Sequence, residues 1–241
     1  MRLHDFKALS FDCYGTLIDW ETGLLAALAP LLQAARGAPA PPEALAQFGR
    51  HESAQQERTP DMPYPRLLAA VHRRLARDWG LEPAEAAHES FGASVPQWPA
   101  FADSPAALGY LKRHYKLVIL SNVDRASFKA SNARLGVEFD AICTAEDIGS
   151  YKPDPRNFRY LIATLASLGV QPHEVLHTAQ SLFHDHAPAQ KAGLASAWID
   201  RPRAYAGSGA TRTPAQLPPY DFRFHTLAEF AQAHQAESVR V

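Results

Sequence analysis

The chain has 241 residues, 46% of them hydrophobic, and its 24 Lys and Arg against 25 Asp and Glu give a formal net charge of −1. That balance describes a globular protein able to bury a sizeable core and argues against nucleic acid as a partner. No apolar run approaches the ~18 residues of a membrane span.

Cys13 and Cys143 make no disulfide framework, and Met1 to Asp5 runs straight into a strand with no signal peptide. A reducing cytoplasm is the expected location. The stretch Lys7-Ala8-Leu9-Ser10-Phe11-Asp12-Cys13-Tyr14-Gly15-Thr16-Leu17 then delivers a carboxylate from an apolar run into a glycine turn. A buried parallel strand places Asp12 at its carboxyl end, where open α/β sheets put ligands, and Gly15 lets the following amides face an anion. Asp12 is the candidate nucleophile.

Leu24, Leu25, Leu28, Leu31 and Leu32 recur at helical spacing, with Pro30 a candidate kink and Pro39, Pro41 and Pro42 ending the run. Further helices are predicted over 43–56, 64–79 and 83–91. They make 19–99 an inserted helical cap. From Asp103 helix and strand alternate. The predicted elements are a helix over 104–115 with Ser104 as N-cap, strand 117–120, helix 125–135, strand 139–144 and helix 157–168. Strand 175–179, a helix to Gly193, strand 195–199, strand 222–224 and helix 227–234 follow. The pattern predicts an α/β fold, a doubly wound parallel sheet built from 1–18 and 100–241. Residues 201–219, rich in proline and glycine, read as a surface loop.

Three later strand ends supply polar groups that a parallel sheet brings beside Asp12. Ser121 and Asn122 offer a hydroxyl and an amide. Lys152, held extended by Pro153 and Pro155, would keep Asp12 ionised and attract an anion. Asp185 is flanked by His184 and His186, expected as exposed residues at a helix start.

Phe11-Asp12-Cys13-Tyr14-Gly15-Thr16-Leu17 resembles the first motif of the haloacid dehalogenase superfamily, whose Asp forms an ester with substrate. Tyr151-Lys152-Pro153 resembles its lysine motif. Phosphatases of that superfamily carry an acid two residues after the first Asp and two more near 180–185, which together hold Mg²⁺. Tyr14 and Gln180 stand at two of those positions, so neither a metal nor another cofactor is expected. The departure resembles the type II 2-haloacid dehalogenase branch, which attacks carbon. Phe48-Gly49-Arg50-His51-Glu52-Ser53 resembles the cap segment whose arginine receives halide, with Arg50 at the matching position. Phe158 stands where those dehalogenases carry a tyrosine, and Trp20 is a candidate pocket wall.

Residues 12–23, 98–101, 116–122, 181–186 and 222–224 further resemble the bacterial azetidine-2-carboxylate hydrolases. That resemblance implies a hydrolase that opens a strained ring to give 2-hydroxy-4-aminobutyrate, the alternative being halide release from 2-haloalkanoates. It implies Asp12, Lys152 and Asp185 as catalytic residues. It implies Cys13, Tyr14, Trp20, Arg50, Ser121 and Asn122 as contacts to a small carboxylate substrate. Relatives in the family are often dimers, so a homodimer is the assembly to test. The leaving groups differ in sign: halide calls for a cation such as Arg50. A ring amine calls for acceptors or aromatic faces, for which Tyr14, Trp20, Glu52 and Gln55 are candidates.

Overall fold

The computed structural model describes residues 1–202 and 209–238. Strand β1 (Ala8–Phe11) leads to four helices, α1 (Trp20–Ala34), α2 (Pro41–Arg58), α3 (Tyr64–Asp78) and α4 (Glu85–Gly92). Then come α5 (Ser104–Leu111), β2 (Lys116–Ser121), α6 (Arg125–Leu135), β3 (Ala141–Thr144), α7 (Ala145–Ile148) and α8 (Pro155–Ser167). The last elements are β4 (Val175–Ala179), α9 (Ala187–Lys191), β5 (Ala195–Ile199), β6 (Phe222–Phe224) and α10 (Leu227–Ser238).

The strands form one six-stranded sheet in the order β3-β2-β1-β4-β5-β6, and every pair is parallel. Leu9, Phe11, Leu117, Ile119 and Leu176 join the core formed with α5, α6 and α10. Ala8, Val118, Leu120, Cys143 and Val175 face the opposite way, onto α8 and α9. Burial on both faces is why these strands read as continuous apolar runs. Because all strands are parallel, Asp12 after β1, Ser121 at the end of β2 and Gln180 after β4 lie at the same, carboxyl-terminal edge of the sheet on three neighbouring strands.

The helical segment leaves and rejoins the sheet through paired backbone. Ile18 and Ala100 form an antiparallel bridge, the Asp19 amide donates to the Pro99 carbonyl at 2.8 Å, and the Phe101 amide to the Leu17 carbonyl at 3.1 Å.

Some expectations change. The 104–115 helix ends at Leu111, and Asp103, not Ser104, holds its N-cap position, without a side-chain capping bond; the Ser104 hydroxyl donates to the Leu17 carbonyl instead. The helix after β4 begins as a π-helical turn over Leu182–His186. Of the predicted surface loop, 203–208 lie outside the described residues. Arg201, however, is buried against Asp103, and Ala210 packs into the core.

Candidate active site

Asp12 is held at the end of β1 by a tight turn. Gly15 adopts φ 90°, a left-handed value that favours glycine. The Cys13 carbonyl collects the amides of Thr16, Leu17 and Ile18 at 3.3, 2.7 and 3.0 Å. The same turn brings the Thr16 hydroxyl to Asp12 Oδ2 at 2.8 Å, and that hydroxyl accepts the Gln180 amide at 3.0 Å. Thr16 therefore ties the β1 and β4 ends together around the carboxylate.

Lys152 is buried, and its ammonium uses all three protons. They go to Asp12 Oδ1 at 2.9 Å, Asp185 Oδ1 at 2.7 Å and the Leu120 carbonyl at 2.9 Å. Its backbone is clamped by Asn122, whose Oδ1 accepts the Lys152 amide at 2.7 Å and whose Nδ2 donates to the Lys152 carbonyl at 3.0 Å. Beyond Asp185 lie His177, with Nε2 3.0 Å from Asp185 Oδ1, and Ser10, with Oγ 2.9 Å from His177 Nδ1. A buried polar chain thus runs Asp12, Lys152, Asp185, His177, Ser10.

Two carboxylates share one ammonium here. Burial raises the Asp12 carboxyl above its ordinary range against the pull of Lys152, and Asp185 raises it further. Burial works the same way on Asp185, but Lys152 and His177 outweigh it and hold that carboxyl well below the usual range. Burial would lower Lys152, yet the two carboxylates keep its pKa above the ordinary value. Among the described residues, Asp185 Oδ2 and Ser121 Oγ are buried without a partner, the kind of unsatisfied group that a ligand or water completes.

Above this chain lies a small cavity of about 50 Å³. Asp12, Tyr14, Asn122, Lys152, Gln180, Ser181, His184 and Asp185 line it from the sheet side. Trp20 of α1, Glu52 and Gln56 of α2, Tyr64 of α3, and Thr211 close it from the other. Glu52 is buried, accepts the Tyr64 hydroxyl at 2.7 Å, and is raised by burial to about 7.

A profile of the haloacid dehalogenase-like hydrolases matches residues 6–193. The chain belongs to the haloacid dehalogenase-like hydrolases. It is 28% identical over 205 residues to an (S)-2-haloacid dehalogenase of Burkholderia cepacia, covering 81% of this chain and 83% of that one. It is 29% identical over 136 residues to a phosphoserine phosphatase of Thermus thermophilus, 54% of this chain and 53% of that one. An L-2-haloacid dehalogenase from Xanthobacter autotrophicus with chloropropionic acid covalently bound superposes with a TM-score of 0.76 at 22% identity, covering 95% and 98%. That likeness shows the fold.

Many hydrolases of this family bind Mg²⁺, as the motifs above imply, and this site lacks two of the acids those motifs carry. Tyr14 and Gln180 supply no carboxylate, and the Lys152 ammonium already bridges Asp12 and Asp185. Among the described residues no cluster of three or more His, Cys, Asp or Glu could hold a metal.

The sites predicted for this hydrolase fall into two groups. Asp12, Tyr14, Trp20, Asn122, Lys152 and Asp185 meet on the cavity, and Ser121 is buried at the end of β2. The Tyr14 hydroxyl is engaged with Ser131 Oγ at 2.9 Å, so Tyr14 offers the cavity chiefly its ring. Cys13 and Arg50 lie elsewhere. The Cys13 side chain packs in the core beneath the turn, and Arg50 is exposed on a separate surface cavity with Ser53, Glu57 and Arg212. The reason is helical period: successive residues turn about 100°, so Arg50 points roughly opposite to Glu52. Gln55 is turned toward Thr59 and Arg74, and Gln56, one turn from Glu52, faces the cavity in its place.

The histidines beside Asp185 are not exposed as expected. His184 lines the cavity, and His186 is buried between Ser196 Oγ at 3.0 Å and the Ala179 carbonyl at 2.9 Å. Burial holds each at about 4, hence neutral. Phe158 packs against His177 with ring centroids 5.1 Å apart. Sequence reasoning passed over Thr16, Ser10, His177 and Tyr64. Ser10 and His177 did carry a signal, as polar residues interrupting apolar strands.

Proposed function

We propose that this hydrolase displaces a leaving group from the α-carbon of a small carboxylate without a metal, and that its substrate is azetidine-2-carboxylate. Residues 19–99 serve as a cap over the 1–18 and 100–241 core. One observation carries the choice of leaving group: an acid, Glu52, faces Asp12 across the cavity, while Arg50 points away. An ionised Glu52 suits a ring ammonium and repels a departing halide.

In this reading the Asp12 carboxylate attacks C2 of the azetidinium, and the C2–N bond electrons stay on nitrogen. The result is an aspartyl ester carrying a primary amine. Ser121 Oγ and the amides after Asp12 hold the substrate carboxylate. Water held by Asp185 then adds to the Asp12 Cγ, and the Cγ–O bond to the product breaks. One water proton ends on the product hydroxyl and the other on the amine, which leaves as ammonium beside Glu52. Water becomes the new Asp12 oxygen, and the ring is opened at no cost in redox equivalents.

A second reading, halide release from 2-haloalkanoates, is favoured by the 28% identity to an (S)-2-haloacid dehalogenase over most of both chains. Chelator-treated protein is incubated with each enantiomer of azetidine-2-carboxylate and, separately, with 2-chloropropionate. Formation of the hydroxy acid that is lost in Asp12→Asn is the expected result. Halide release with no ring opening would replace the first reading by the second.

A further inference from the structure

Ser10 and His177 face each other in register on neighbouring strands β1 and β4, fully buried beneath the site. Nothing in the chemistry above uses them directly. Their contacts are nevertheless specific. Asp185 is held ionised, so its Oδ1 can only accept, and the His177 Nε2 at 3.0 Å must carry a proton. The other ring nitrogen, Nδ1, lies 2.9 Å from Ser10 Oγ, which can donate to it. With a partner at each ring nitrogen, the orientation of the imidazole is set from both sides.

The arrangement also solves a problem of supply. The Lys152 ammonium is divided between Asp12, Asp185 and the Leu120 carbonyl. Asp185 Oδ1 receives a second donor from His177, and among the described residues Oδ2 is buried with no partner, on a residue that lines the cavity. A carboxylate pinned through one oxygen by two donors presents the other in a fixed direction.

We infer that Ser10 and His177 form a positioning pair that holds Asp185 so that its Oδ2 orients the water attacking the Asp12 ester. The inference rests on the ester-forming reading of the site but not on the identity of the leaving group. The titratable groups around Asp185 are Asp12, Lys152, His177, His184 and His186. Of these only Lys152 and His177 bond to it.

The test compares His177→Leu, His177→Gln and Ser10→Ala on whichever substrate the wild type turns over. His177→Leu removes the donor, so kcat should fall at least about tenfold with KM little changed, and the acid limb of the kcat profile should move to higher pH. His177→Gln can still donate to Asp185 and should recover most of the loss. Ser10→Ala should act in the same direction more weakly, and it covers the case in which His177→Leu does not fold. A folded His177→Leu with wild-type kcat and pH profile would overturn the inference, as would a Gln variant no better than Leu. The imidazole ¹⁵N shifts of wild-type His177 need no substrate. They should show Nε2 protonated, and a bare Nε2 would overturn the pair even if no substrate were found.

Discussion

Glu52→Gln separates a functional acid from a structural one, because it should raise stability while removing activity. Gln keeps the shape of Glu52 and can still accept the Tyr64 hydroxyl. Burial lifts Glu52 from 4.5 to about 7 in the folded protein, and at ~1.36 kcal/mol per pH unit its ionisation costs the fold roughly 3 kcal/mol. The sign follows from linkage. Below 4.5 Glu52 is protonated in both states and nothing is lost. Stability falls as pH rises from there through about 7. Gln carries no such dependence. Melting curves should therefore nearly coincide near the acid end and separate above neutrality, with the variant higher by roughly 6–12 °C for a chain this size. Ring opening should fall in the same variant by about 10–100-fold, the loss expected for one charge-assisted contact. In the wild type its kcat/KM should rise with pH through about 7 as Glu52 ionises. Halide release from 2-chloropropionate should be spared. Equal melting points for both proteins across the whole pH range would refute the reasoning, since Glu52 would then titrate as an ordinary acid.

A single turnover in H₂¹⁸O should give unlabelled hydroxy acid and labelled Asp12, because the product oxygen comes from the carboxylate. Label in the first product would mean that water attacks carbon directly. Lys152→Met should abolish turnover and lower stability by about 3–5 kcal/mol at neutral pH, since it strands two buried carboxylates. The melting deficit should shrink as pH falls and the stranded acids protonate, and a deficit independent of pH would point to lost packing instead. In Gly49→Ala the new methyl would overlap the Ala210 carbonyl oxygen, so the loop carrying Thr211 must move off the cavity. Faster hydrogen exchange over 209–213 and a raised KM are expected, with a stability loss of about 1–3 kcal/mol.

The core was legible wherever burial on both faces left a continuous apolar run. Strands 175–179 and 195–199 and helix 125–135 have the bounds read from sequence. Asp12, Lys152 and Asp185 were legible for a different reason. Parallel strands deliver whatever follows them to one edge, so strand ends and motifs sufficed to converge them. What stayed hidden were contacts made at a distance from any strand end. The Ser10–His177 pair depends on strand order and register, which place β4 beside β1 across 167 residues of chain.

On the α2 side, the motif points to a helix that lines the cavity, but Glu52 and not Arg50 is the residue that reaches it. The segment 48–53 marks the part of α2 nearest the site, but which residue enters the cavity depends on the rotation of the helix. The buried faces of Phe48, Glu52, Gln55 and Gln56 set that rotation. With Phe48 packed on Trp20 and Phe91, Glu52 must turn inward and Arg50 outward. Bringing Arg50 to Asp12 would require rolling α2 about half a turn, exposing Phe48 and carrying Gly49 away from the Ala210 backbone it contacts. Full burial of a phenylalanine contributes about 1.5–3 kcal/mol, so the roll is disfavoured before any substrate binds. The polarity of the cavity wall facing Asp12 is thus set by the apolar packing of α2.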